Sequence, residues 1–235
     1  YIYGKLGNLI MTKEGINVLM TNLTGKVPPI LQRLDYIRFN GEAAGYLHDL
    51  TLTGLFYTGA GMVKTDVMMS IDEQSMSRTY SGSVASADLD LGKLLNQEKK
   101  FGKVDFNVEL KGFNYKNRYP ESYIKGIISS FEYSQYQYEN IMLDGVYKDG
   151  GFNGRLSMDD ANGSVQIDGN FNVAKTIPDF NLKASVKNLR PHDLHLSDKY
   201  ENASISLGLT ADFTGKSIDD MNGRISLDSL QLNAP

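Results

Sequence analysis

Apolar and polar residues alternate with a period of two along most of this chain, and few segments carry the period of a helix. In Val104-Asp105-Phe106-Asn107-Val108-Glu109-Leu110 the apolar residues Val104, Phe106, Val108 and Leu110 point one way and the polar ones the other. The pattern returns in Val165-Gln166-Ile167, with Phe171 and Val173 in phase, and in Phe180-Asn181-Leu182-Lys183-Ala184-Ser185-Val186. It returns again in Ile205-Ser206-Leu207-Gly208-Leu209-Thr210-Ala211-Asp212-Phe213. Successive side chains on a strand face opposite sides, so each segment reads as a strand with one apolar and one wetted face. The sheet either closes on itself as a sandwich or barrel, or curls into a trough whose apolar lining stays accessible.

The first 35 residues differ. Thr12 is placed to cap a helix that carries Ile16, Leu19, Met20 and Leu23 on one face, Gly25 stops it, and Pro28-Pro29 starts a further short turn with Ile30, Leu31 and Leu34. From Tyr36 the chain reads as strands separated by Gly, Asn and Asp turns. Ile37, Phe39 and Gly41 share a face, as do Leu50, Leu52, Gly54 and Phe56, and then Val63, Thr65, Val67, Met69 and Ile71. In Asp88-Leu89-Asp90-Leu91-Gly92-Lys93-Leu94-Leu95 the spacing turns helical, which predicts a short helix near 89–95. The expected organisation is a helical segment over 1–35, a first β-groove segment over 36–87, a helical insertion over 88–98 and a second β-groove segment over 99–235. The expected fold is mainly β, an elongated curled antiparallel sheet. Asn153-Gly154-Arg155-Leu156-Ser157-Met158-Asp159 is echoed in Asn222-Gly223-Arg224-Ile225-Ser226-Leu227-Asp228, which suggests one turn-and-strand unit used twice.

Little of the sequence argues for catalysis. Cysteine is absent, which removes disulfides, cysteine-ligated metals and thiol chemistry. The net charge of −4 offers no basic footprint for nucleic acid. Asp159-Asp160 and Asp219-Asp220 are adjacent pairs beside Asn-Gly turns, so their carboxylates face opposite sides and suit turn chemistry. His48, His192 and His195 lack the spacing of a zinc site, Gly82-Ser83 and Gly163-Ser164 lack a nucleophile elbow, and no glycine-rich phosphate loop occurs. The reading is a non-enzymatic chain with no cofactor and no metal. Tyr115, Tyr119, Tyr123, Tyr133, Tyr136, Tyr138 and Tyr147 gather mid-chain, as strand residues or as an aromatic platform for sugars or interfacial lipid. No apolar stretch is long enough for a membrane helix, and a chain running from Tyr1 to Pro235 reads as a piece of a longer protein.

Tyr136-Gln137-Tyr138-Glu139-Asn140-Ile141-Met142-Leu143-Asp144-Gly145 and Phe152-Asn153-Gly154-Arg155-Leu156-Ser157-Met158-Asp159-Asp160 resemble the recurring core of the TamB proteins of Bacteroidetes-type bacteria. Asp88-Leu89-Asp90-Leu91-Gly92-Lys93-Leu94-Leu95 resembles a segment of the wider AsmA-like group, and Phe39-Asn40-Gly41-Glu42-Ala43-Ala44-Gly45 and Asp179-Phe180-Asn181-Leu182-Lys183-Ala184 fit the same pattern. The likeness runs over nearly the whole chain from Tyr36. It implies a repeating β-groove, or β-taco, in the periplasm of a Gram-negative envelope, tethered to the inner membrane by a segment outside this chain. It further implies that the groove moves phospholipid toward the outer membrane and supports outer-membrane biogenesis beside an Omp85-type barrel.

On this reading the residues expected to line an acyl-chain groove are Val104, Phe106, Val108, Leu110, Val165, Ile167, Phe171, Val173, Phe180, Leu182, Val186, Ile205, Leu207, Leu209, Phe213, Ile225 and Leu227. Two other functions fit the same pattern: a chaperone-like scaffold that pairs client barrel strands along its edges, and a glycan-binding β-sandwich that uses Tyr136 and Tyr138.

Overall fold

The computed structural model describes residues 1–235 other than 25, 26, 28, 47, 73, 76, 115–120, 173, 200, 217–219 and 235, and without the side chains of residues 2 and 22–24. The chain is mainly β. The strands are β1 (Ile2–Thr12), β2 (Tyr36–Tyr46), β3 (Asp49–Thr58), β4 (Gly61–Asp72), β5 (Ser77–Asp90), β6 (Phe101–Asn114), β7 (Glu121–Tyr133), β8 (Tyr136–Lys148), β9 (Gly151–Asp160), β10 (Gly163–Asn172), β11 (Asp179–Leu189), β12 (Ser204–Thr214) and β13 (Asn222–Asn233). Among the described residues there are also two helices, α1 (Lys13–Thr24) and α2 (Leu91–Leu95), and a 3-10 turn (Leu31–Arg33).

All 13 strands belong to one antiparallel sheet in chain order, curled but not closed, so β1 and β13 are both edges. Each strand pairs only with its chain neighbours. Connections after odd-numbered strands therefore gather along one rim of the sheet, and those after even-numbered strands along the other.

The expected helix after Thr12 is α1, and the expected turn of helix near 89–95 is α2. The Asp90 carboxylate accepts from the Lys93 N–H, and Asn96 closes the turn in the left-handed conformation. The sheet runs on beneath α2, because β5 pairs directly with β6. One strand escaped the sequence reading: residues 2–12, expected in a helical segment, form β1. Its period is hidden by a bulge at Asn8 (φ 138°), so the core-facing set steps from Leu6 to Leu9 and Met11. Gly4 and Gly7 lower its strand propensity further.

Three strands that lead into long connections each carry such a bulge at an Asn or Asp with positive φ: Asn8 in β1, Asp88 in β5 (φ 58°) and Asn188 in β11 (φ 48°). The extra residue turns the strand end, and the connection that follows folds back over one face of the sheet. Ile16 of α1 and Leu94 of α2 are buried there with Leu34, Ala60, Ile37, Leu89 and Val104, against Phe56, Val63, Phe106, Ile128 and Phe131 of the strands. On α1, Ile16 and Met20 face this cluster while Leu19 is exposed; Gly25, Pro28 and the Leu23 side chain lie outside the described residues.

The connection after β11 acts likewise farther along the rim. Its N–H at Arg190 donates to the Asn162 carbonyl, and the Tyr138 hydroxyl donates to the Leu194 carbonyl (2.7 Å). His195 Nδ1 lies 2.9 Å from the Ser134 carbonyl, and Leu194 is fully buried. This strap crosses the ends of β10, β9 and β8. Most of the buried apolar side chains lie along this roofed rim, and Ala184 and Ala211 are buried farther out on the sheet. The accessible surface is 15076 Å², whereas a compact 26.1 kDa monomer exposes roughly 10,600 Å².

Candidate functional site

Directly paired residues in an antiparallel sheet share a face. The face covered by α1, α2 and the strap is called inner. Its row nearest the roof runs Leu9, Phe39, Phe56, Val63, Ser86, Phe106, Ile128, Ile141, Met158, Val165, Val186, Leu207, Leu230, one residue from each strand of the sheet. Ser86 is its single polar member, and its hydroxyl donates to the Met62 carbonyl.

Two residues farther along each strand lies a second row, in which Val108, Ile167, Leu209 and Leu227 sit with Val84, Leu143 and Leu156. The third row holds Leu110, Leu182 and Ile225 with Leu52, Val67 and Ile124, and the glycines Gly82, Gly145, Gly154 and Gly169. The fourth is aromatic: Tyr80, Tyr147, Phe152, Phe171, Phe180 and Phe213, with Leu50, Met69 and Ser122. The Phe180 and Phe213 rings stack at 4.7 Å, and the Tyr80 hydroxyl bonds that of Ser122. None of these four rows contains a charged residue.

The register thus brings Phe106, Val108, Leu110, Val165, Ile167, Phe171, Phe180, Leu182, Val186, Leu207, Leu209, Phe213, Ile225 and Leu227 onto one face. Val104 and Ile205 lie on the same face, beside the roof. Val173, Tyr115, Tyr119 and Asp219 lie outside the described residues. Most of the lining is half-buried rather than sealed; at the β13 edge Ile225, Leu227, Leu230 and Leu232 are 48–64% exposed. Missed from the sequence are Ile124 and Ile128 of β7, Ile141 and Leu143 of β8, Leu156 and Met158 of β9, and Leu230 and Leu232 of β13. Bulges account for β7 and β13, where Ser129 and Asp228 are extra residues and the inner set changes parity partway; β9 pairs with both neighbours without a register shift. The two echoed segments map alike, with Gly154, Leu156 and Met158 inward in β9 and Gly223, Ile225 and Leu227 inward in β13.

The opposite face is wet. One of its rows reads Lys5, Glu42, Thr53, Asp66, Ser83, Glu109, Lys125, Asp144, Arg155, Asp168, Lys183 in successive strands. Ion pairs join Lys5 to Glu42 (3.7 Å), Lys125 to Asp144 (3.2 Å) and Arg155 to Asp168 (2.8 Å). The Tyr123 hydroxyl and the Lys125 ammonium hold the Asp144 carboxyl below its ordinary value, and Gln166 and Arg155 do the same for Asp168. Such exposed pairs contribute little to stability, but like charges in register are disfavoured, so the row helps fix the pairing. Ile127 and Met142, paired and about half exposed, are an apolar exception on this face.

The tyrosines divide. Tyr136 and Tyr138 pack edge-on at 4.8 Å under the strap. Burial, followed by the hydrogen bond to Asp160, pushes the Tyr136 phenol up to about 12. Among the described residues no cluster of three or more His, Asp or Glu is placed to hold a metal ion, and no helix is long and apolar enough to cross a membrane. What the fold and lining define is an open antiparallel β-trough with a broad charge-free band on one face. Comparison with protein-family models, curated proteins and solved structures gave no match.

Proposed function

We propose that this chain is a non-enzymatic lipid-binding trough whose inner face conducts or shelters the acyl chains of phospholipid. The observation that carries the reading is the uncharged row from Leu9 to Leu230, which crosses every strand of an unclosed sheet. At about 4.8 Å per strand the rows extend roughly 58 Å along the sheet. Each buried methylene contributes about 0.8 kcal/mol, so one acyl tail gains on the order of 10 kcal/mol. The resemblance to TamB and AsmA-like proteins adds the setting: a periplasmic segment, tethered to the inner membrane through chain outside these residues, that serves phospholipid transfer and outer-membrane biogenesis with an Omp85-type barrel. Nucleic acid has no place in this reading.

The scaffold reading draws on a separate feature, the bare edges β1 and β13, where client strands can pair. The glycan reading is weaker, because Tyr136 and Tyr138 are engaged beneath the strap. The test is mass spectrometry of lipid retained by the purified chain after incubation with phospholipid vesicles. Wild type and Ser185→Asp, on the wet face, retain lipid; Ile167→Asp and Leu207→Asp do not. Equal retention by the folded lining variants, or none by the wild type, refutes the trough. Photo-crosslinks from lining positions to barrel strands instead of lipid establish the scaffold.

A further inference from the structure

We infer that the inner face holds its amphiphile crosswise, with the methyl ends of the acyl chains under the roof and the polar head at the opposite rim. The inference rests on the acyl-chain reading and adds the ligand's direction.

Two features of the face differ systematically from rim to rim. Among the described residues the roof elements lie along one side, where they bury Ile16, Leu94 and Leu194. The polar groups beside them are already committed: Tyr138 donates to the Leu194 carbonyl, and Arg33 Nη1 to the Leu94 carbonyl (2.6 Å). A phosphate pushed under this roof would lose water where the Tyr138 hydroxyl and the Arg33 Nη1 are already engaged, which is costly.

The lining itself is graded. Of the rows that cross every strand, the first is predominantly aliphatic, with Phe39, Phe56 and Phe106 as its aromatic members; the rings beneath the roof itself, Phe101, Phe131, Tyr133, Tyr136 and Tyr138, pack on one another, and the Tyr136 and Tyr138 hydroxyls are already bonded to Asp160 and the Leu194 carbonyl. The fourth row is largely aromatic and carries the hydroxyls of Tyr80, Ser122 and Tyr147. Beyond it, on the same face, Arg78 pairs with Asn114, and Arg78 is the first charge met on moving away from the roof. Aromatic rings with polar tips favour the boundary between hydrocarbon and water. From the first row to the fourth is six residues, roughly 20 Å of strand. A leaflet's acyl chains span about 15 Å, half the hydrocarbon thickness of a bilayer. One tail therefore fits across the uncharged band, with its ester end among the rings.

The chain contains no tryptophan, so a single introduced indole reports its own surroundings. Phe106→Trp places it beside the roof and Phe180→Trp beside the opposite rim. Each variant is mixed with phosphatidylcholine vesicles bearing a nitroxide near the ester or at the methyl end of the chain. The methyl-end label quenches Phe106→Trp more strongly, and the order reverses at Phe180→Trp. Met158→Trp and Tyr147→Trp repeat the comparison if the larger ring at 106 or 180 disturbs folding. Equal quenching by both labels at both rims, or the opposite order, overturns the orientation and leaves lipid binding intact. No quenching by either label at any position overturns the acyl-chain reading as well.

Discussion

Thr65 sits at the centre of the inner face, 9% exposed, and its hydroxyl finds no partner among the described residues. A buried hydroxyl without a hydrogen bond keeps its full desolvation cost. Replacement by valine, which matches its shape, should raise stability by about 1 kcal/mol, read as a higher denaturant midpoint at unchanged slope. Loss of stability on Thr65→Val would show that the hydroxyl is satisfied in solution. Other polar residues of the inner rows have local partners: Ser86 donates to the Met62 carbonyl, and the Tyr80 and Ser122 hydroxyls bond each other. The inner surface thus presents hydrocarbon and aromatic carbon, with few free polar atoms for a water-soluble ligand to use.

At the scale of the element, glycines decide how closely neighbouring strands approach. Gly169 has φ +144°, and a Cβ there would lie 2.3 Å from the Asn181 carbonyl oxygen. Gly169→Ala should cost about 2 kcal/mol or more. Gly7→Ala, where a Cβ meets nothing within 4 Å, should change stability by less than about 0.5 kcal/mol. Equal costs in chemical denaturation would show that strand propensity alone governs both sites. Most strands were legible in the sequence, because Val104–Leu110 or Phe180–Val186 keep strict alternation along their length. β1 was not, nor was the second half of β13, since one extra residue at Asn8 or Asp228 reverses the parity on which the reading depends. The roof was the least legible part. Leu194 belongs to no periodic segment, and its burial depends on a tyrosine 56 residues earlier in the chain. An Asn/Asp-Leu pair marks all three bulges that feed the roof, at Asn8-Leu9, Asp88-Leu89 and Asn188-Leu189. The same pair occurs in mid-strand at Asn181-Leu182, so it carries too little information alone.

For the whole molecule, an unclosed sheet of 13 strands leaves two edges, and β13 is exposed along its whole length. Ile225, Leu227, Leu230 and Leu232 are 48%, 58%, 55% and 64% exposed, and Arg224 and Asp228 are the only charges on that strand. An edge of this kind invites further strands. Light scattering should show concentration-dependent association of the wild-type chain and its suppression by Leu230→Lys, with the melting temperature unchanged. An unaffected monomer in both proteins would mean that the edge is self-protecting. The alternating rims have a consequence for how such a protein can lengthen. A single added strand would send every later connection to the opposite side, so downstream lids would hang over the wrong bank. Growth or shrinkage by hairpins leaves the lids where they are, and this architecture should vary among descendants in steps of two.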